Sequence, residues 1–282
     1  MPDAMYAAAP RSDEAPVGRA ASAWAPMLAL ATSAAVLAAM YWLFVRTPDG
    51  QRVDEAARLR VGAPSGTRHL IAQVLGDVSI GMVALGLFVC VVIALLRGQR
   101  LVAASAVVLV AGANLTTQVL KNSVFSRPDY GHWTSNSLPS GHTTVVTSLV
   151  LALLLVAPAI GRGPAAFAGT AAITLTGVGT IVAAWHRPSD VIAAIAICLG
   201  WGAFMLMVIG WAHPARPRTH ISHVVLAFIG TAAATLAMLA VGIRPDGSVR
   251  DLVVYIATLG GVAAATAVAI GWFVRLVDAR LG

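Results

Sequence analysis

Three short blocks of this sequence hold side chains able to handle phosphate. They are Lys121-Asn122-Ser123-Val124-Phe125-Ser126-Arg127-Pro128-Asp129, Pro139-Ser140-Gly141-His142, and His186-Arg187-Pro188-Ser189-Asp190. Lys121 and Arg127 offer a point charge and a planar fork, which together suit the oxygens of a tetrahedral phosphate. Lys121 is the only lysine among nineteen Lys and Arg residues. A compact ammonium at a helix end then suggests a geometric need, with a snorkelling interface anchor as the simpler alternative. Ser140 is placed to cap a helix, and with Gly141 it leaves free backbone N–H groups as an anion seat over which His142 projects. Pro188 fits the first position of the next helix and Asp190 its first turn. That spacing lets the carboxylate orient one imidazole nitrogen of His186 while the other faces a substrate. A histidine held in this way is an activated nucleophile, and His142 across the phosphate can protonate the leaving oxygen. The chemistry is in-line phosphoryl transfer. No metal or other cofactor is expected, because cationic side chains and helix-end N–H groups neutralise the phosphoryl charge. Asp129 and Asp190 alone supply carboxylates in these blocks, too few for a two-metal site.

The elements that must position these blocks are transmembrane helices. The chain is 58% hydrophobic and only 11% charged, whereas a soluble domain carries about a quarter charged residues. Spans of the required length, about 20 apolar residues, are expected near 24–45, 74–96, 101–120, 143–160, 165–185, 189–212, 223–243 and 252–274. The fold expected is an all-α polytopic bundle of eight spans. The segment to residue 23, with scattered Pro, Ser, Asp and Arg, reads as a disordered tail. The first apolar run is too long for a secretory signal. The last two spans, rich in Ala and Gly, are expected to pack through small residues.

Parity makes the blocks meet. Loops after odd-numbered spans share a face, so Lys121, Arg127, His142, His186 and Asp190 can converge without crossing the bilayer. Tight turns around Arg97, Arg162 and Arg216 favour an inside N-terminus, which puts the blocks outside. The long first outer segment, with Arg46, Arg52, Arg58, Arg60 and Arg68, is diluted by Asp49, Asp54 and Glu55. The net charge of +7 is spread over many loops and serves topology and lipid contact, not nucleic acid. Cys90 and Cys198 read as small buried side chains. Asn114 and Gln118 share a helical face with Lys121; bonding a neighbouring span is the expectation, with positioning of Lys121 as the alternative. His132, Trp133, His213, His220 and His223 read as loop residues, Trp133 as one that could guide a lipid.

Taken together, the three blocks resemble the type 2 phosphatidic acid phosphatase superfamily of membrane lipid phosphatases, whose pattern is Lys then Arg-Pro, Pro-Ser-Gly-His, and Arg followed by His-x-x-x-Asp. The resemblance covers roughly residues 70–212. It implies His186 as a nucleophile forming a phosphohistidine, polarised by Asp190, with His142 as acid for the leaving group. Lys121, Arg127, Ser140 and Gly141 would bind phosphate. Residues 24–212 would then form a six-span phosphatase-like domain, and 213–282 two additional helices. Two departures stand out. Five residues separate Lys121 from Arg127 where the family usually has six, and Thr180 occupies the position of the third-block Arg. Arg187 or Arg68 is the expected substitute cation. The soluble haloperoxidase relatives, which hold vanadate through that Arg, are correspondingly disfavoured. The expected partners are membrane lipids and a lipid phosphate substrate: phosphatidic acid, phosphatidylglycerol phosphate or a polyprenyl diphosphate. The expected setting is the inner (plasma) membrane with an extracytoplasmic site. A lipid phosphotransferase using the same site, or a non-enzymatic protein on a decayed phosphatase frame, are the alternatives.

Overall fold

The computed structural model describes residues 19–77, 80–131, 135–212, 220–243, 245 and 249–281, and the regular elements among them are all helices. In chain order they are α1 (Arg19–Ala39, continued by a π-helical turn Met40–Val45), α2 (Pro48–Arg60), α3 (Ser65–Gly76), α4 (Ile80–Leu96), α5 (Arg100–Val119, continued by a π-helical turn Leu120–Val124), α6 (Gly141–Val156), α7 (Ala159–Val182), α8 (Pro188–Ala212), α9 (Ile221–Ala240) and α10 (Val249–Leu281). Six described stretches are long and apolar enough to cross a bilayer: Trp24–Val45, Arg100–Val124, Ala159–Val182, Pro188–Ala212, Ile221–Ala240 and Asp251–Leu281. This is the expected all-α polytopic bundle. Large apolar side chains such as Leu28, Leu85, Phe88, Leu115 and Leu236 are exposed on its outside, where hydrocarbon rather than water is their natural solvent. Most of the expected N-terminal tail lies outside the described residues.

Two expected spans differ. The second is a pair, α3 and α4, bent by 60°; the apolar run is interrupted at Gly76 and Asp77, where α3 ends. The fourth, α6, has 16 residues and stops at Val156, because a residue before proline avoids helical ψ. Ala157, followed by Pro158, accordingly has ψ 143, and α7 starts at once at Ala159. The long first outer segment, expected as a loop, instead folds into α2 and α3. Thr47 and Pro48 start α2, with the Thr47 hydroxyl accepting the Gly50 N–H at 3.0 Å, a normal N-cap with proline at the first position. The buried face of α2 carries Gln51, Asp54 and Ala57.

The apolar helix α8 is buried along most of its length, as a helix hydrophobic on all sides requires, and α1, α5, α6 and α10 pack around it. Small residues set close approaches: a Cβ on Gly230 of α9 would lie 2.2 Å from the Phe167 carbonyl oxygen of α7, so the two backbones touch. Packing is not the whole role of the last helices. At one end of the bundle Asp278 of α10 accepts from Arg162 Nη1 at 2.9 Å and pairs with His223 Nδ1 at 2.8 Å. At the other, Asp251 of α10 pairs with Arg60 of α2. His223, expected in a loop, is thus a buried residue in the first turn of α9; His220 directly precedes that helix, and His213 lies outside the described residues.

Candidate active site

The site forms at the end of the bundle where α5 and α7 stop and α6 and α8 begin. A π-helical turn carries Lys121, an irregularity that often accompanies functional sites. The chain then leaves in extended conformation at Phe125, and Asn136 Nδ2 ties it down by donating to the carbonyls of Lys121 at 2.9 Å and Phe125 at 3.1 Å. The loop bearing Arg127 is braced from the first helices. Gln51 Nε2 donates to the Pro128 carbonyl at 2.9 Å, Arg46 Nη1 to Ser126 Oγ at 3.1 Å, and Tyr41 stacks on Phe125 with ring centroids 4.2 Å apart. Held in this way, Arg127 has Nε, Nη1 and Nη2 all buried without a hydrogen-bond partner. Orphaned buried donors are rare and call for an explanation.

Ser140 caps α6, its hydroxyl accepting the Thr143 N–H at 3.4 Å. Its own N–H donates to the Asp190 carbonyl at 3.0 Å, which locks the start of α6 to the start of α8. A Cβ on Gly141 would come no nearer than 3.9 Å to the Gln118 amide, so the helix start is unobstructed there. His142 lies against Trp185, ring centroids 5.3 Å apart, within electrostatic reach of His186 and Lys121.

α7 ends in a Schellman motif whose left-handed position is Ala184, at φ 62; the N–H groups of Trp185 and His186 both donate to the Thr180 carbonyl, at 3.0 and 3.2 Å. This turn delivers His186 to Asp190. His186 Nδ1 lies 3.1 Å from Asp190 Oδ2, which also accepts the Arg187 N–H at 2.9 Å. An ionised carboxylate only accepts, so Nδ1 carries the proton and Nε2 is left for a substrate. Lys121 is within electrostatic reach of Asp190. All the expected catalytic and phosphate-binding residues therefore converge at one end of the bundle.

The family comparison falls on this same stretch: residues 102–214 match the family model of the PAP2 superfamily. Over this segment the chain is similar to the PAP2 superfamily. No curated protein and no solved structure matches it. That similarity supports phosphatase-type activity on phosphate esters, in a chain with six described helical stretches long and apolar enough to cross a membrane. The PAP2 segment spans α5 through α8 and contains all three blocks.

Within the PAP2 blocks, Thr180 brings no cation: its hydroxyl is buried and donates to the Gly177 carbonyl at 2.8 Å. Arg187 is buried, with Nε on Glu55 at 3.0 Å and Nη1 on Ser137 Oγ at 2.9 Å. Arg68 is exposed on α3. Asn114 bonds the neighbouring helix through Ser148 Oγ at 3.2 Å, while Gln118 accepts from Asn122 of its own helical run at 3.3 Å. His132 and Trp133 lie outside the described residues. Among the described residues no three His, Cys, Asp or Glu side chains are grouped as metal ligands. Cys90 and Cys198 are buried thiols.

Sequence reasoning missed the contribution of α2. Asp54 Oδ1 and Oδ2 accept from the N–H and hydroxyl of Ser189 at 3.2 and 2.6 Å. Burial, and then the charge of Asp190, push the Asp54 carboxyl up to about 7. Burial alone would raise Glu55 as well, but hydrogen bonds and charge from Arg58 and Arg187 outweigh it and hold that carboxyl below its ordinary value. The signal was present in Thr47-Pro48-Asp49, a helix start in an otherwise polar segment.

Proposed function

We propose that the chain hydrolyses a lipid phosphate or lipid diphosphate, of the phosphatidic acid, phosphatidylglycerol phosphate or polyprenyl diphosphate class, without a metal and through a phosphohistidine on His186. The observation that carries the reading is a carboxylate-held His186 together with an Arg127 that lies within electrostatic reach of the same Asp190 and whose buried guanidinium nitrogens have no protein partner. Three buried nitrogens carrying N–H donors in a fork match the oxygens of a phosphoryl group. His186 Nε2 attacks phosphorus as the ester P–O bond breaks, and His142 gives its proton to the leaving oxygen. Water then attacks the phosphohistidine, His142 takes a proton from it, and inorganic phosphate leaves with His186 restored. Lys121, Arg127 and the N–H groups at the start of α6 counter the phosphoryl charge, the task a metal would otherwise have. A setting in the inner membrane with an extracytoplasmic site is part of the same proposal, supported by the exposed Arg97 in the tight turn between α4 and α5 at the opposite end; Arg162, expected in such a turn, is instead buried in α7 and paired with Asp278.

The test is phosphate release from detergent-dispersed phosphatidic acid by the purified protein in excess chelator, with no added acceptor. Release by the parent and none by His186→Ala is expected. Activity lost to chelator and restored by magnesium would overturn metal independence. Release only when an alcohol acceptor is added would make the chain a phosphotransferase instead.

A further inference from the structure

The start of α8 has a capping problem. Arg187 occupies the N-cap position, and an arginine side chain has no acceptor for the first N–H groups of the helix. Asp190, at the third helical position, reaches back to the Arg187 N–H and to His186 Nδ1, the reciprocal half of a capping box. The N–H of Ser189 finds its partner elsewhere, in Asp54 of α2, 135 residues upstream, which also takes the Ser189 hydroxyl. The neighbouring Glu55 takes Arg187 Nε. One turn on, Arg58 binds Glu55 and donates to the Ala184 carbonyl at 3.3 Å.

One helix, outside the segment matched by the family, thus holds residues 184, 187 and 189 around the His186 and Asp190 pair. Electrostatics makes this a poor choice for anchoring alone. Asp54 is 2% exposed and stands near Asp190, in a site that must also admit an anion. A serine or threonine at position 187 would cap α8 without a second buried carboxylate. What the carboxylates of α2 add is a fixed position for the residues flanking the nucleophile, in a chain whose third block lacks its usual arginine.

We propose that Asp54 and Glu55 are positioning residues for hydrolysis, holding Ser189 and Arg187 so that Asp190 keeps His186 Nε2 aimed at phosphorus. The inference rests on His186 being the nucleophile. A loosened nucleophile costs far more in turnover than in binding, since misplacement by about 1 Å can cost on the order of 100-fold.

Four variants of the full-length protein test this: Asp54→Ala, Asp54→Asn, Glu55→Gln, and Arg60→Ala, which breaks the α2 contact to Asp251 without touching residues 184–190. Asp54→Ala is expected to lower kcat about 10- to 100-fold with KM within about threefold. Asp54→Asn, which keeps an acceptor, should recover most of that loss, and Arg60→Ala should stay near the parent. Parent-like kcat in Asp54→Ala, or an equal fall in Arg60→Ala, would overturn the proposal. If Asp54→Ala does not fold, Glu55→Gln carries the same comparison: a lower kcat at parent KM supports the proposal, and an unchanged kcat refutes it. A second readout needs no turnover. Nitrogen-15 NMR of labelled histidine should show the His186 Nδ1 proton exchanging with water at least about tenfold faster in Asp54→Ala or Glu55→Gln than in the parent. Equal exchange would sink the positioning role even if the parent proved inactive, whereas failure of the phosphatase reading is seen in the parent's kinetics alone.

Discussion

Replacing Arg127 with methionine should make the protein more stable and worse at holding phosphate. The Arg127 guanidinium has three buried nitrogens with no hydrogen-bond partner; Asp54, Asp190 and Glu55 act on it only through their charge. Burial first, and the charge of Arg187 second, lower its pKa from the ordinary value. A buried donor left unsatisfied costs about 1–3 kcal/mol. Methionine fills similar space without donors, so Arg127→Met should gain about 1–3 kcal/mol in the absence of ligand. The same change removes a charge-assisted contact to the phosphoryl group worth about 1.5–3 kcal/mol, which is about 10- to 150-fold in oxyanion affinity. Thermal unfolding of detergent-solubilised protein with and without orthovanadate reads both effects. At an oxyanion concentration of about 100 Kd the parent gains about 2.7 kcal/mol. With Kd raised about 100-fold, the variant gains only about 0.4 kcal/mol at that concentration. The variant should therefore melt above the parent without vanadate and shift little with it. A variant that melts lower, or that keeps the full vanadate shift, would refute the role given to Arg127.

Three further outcomes follow from the geometry. His142→Ala should lose about 10²–10⁴-fold on an alkyl phosphate and much less on a nitrophenyl phosphate, whose leaving group needs no proton, while His186→Ala stays inactive on both; rescue of His186→Ala instead would exchange the roles. The folded-state pKa of Asp54, about 7, exceeds its unfolded value of about 3.9, so its contribution to stability is complete below the unfolded value and declines as pH rises towards 7. Denaturation midpoints of the parent should therefore fall relative to Asp54→Asn between about pH 5 and pH 7, by up to about 1.4 kcal/mol per pH unit, and parallel curves would contradict the shift. Ala184 sits at φ 62, where a side chain costs about 1–2 kcal/mol, so Ala184→Gly should raise the unfolding midpoint; a lower midpoint would mean that the turn is held for another reason.

What was legible in the sequence was local. Ser140 as a cap, Pro188 at the first position of α8 and Asp190 one turn from His186 depend on neighbours within four residues, and the helices form as that spacing requires. The apolar runs gave six of the spans for the same reason. Pairings between distant elements left no periodic trace. Asp54 and Ser189 are 135 residues apart and His223 and Asp278 are 55 apart; no hydrophobic pattern links them. By sequence alone the acids of the first outer segment only dilute charge, although Asp54 and Glu55 bond Ser189 and Arg187 on either side of the turn that follows His186. Breaks within apolar stretches were also missed. At Ala157, before Pro158, backbone preference ends a helix that hydrophobicity alone would continue, and α3 ends at Gly76 within the second expected span.

Phosphoryl transfer to His186 is measured most directly by rapid quenching of the protein with a labelled lipid phosphate, followed by analysis of the protein-bound phosphate. A phosphohistidine persists in base and is lost in acid. A base-stable, acid-labile adduct mapping to His186 is expected, enriched in His142→Ala when the donor is a nitrophenyl phosphate, and absent in His186→Ala. An acid-stable adduct on Ser140, or labelling that survives His186→Ala, would contradict it.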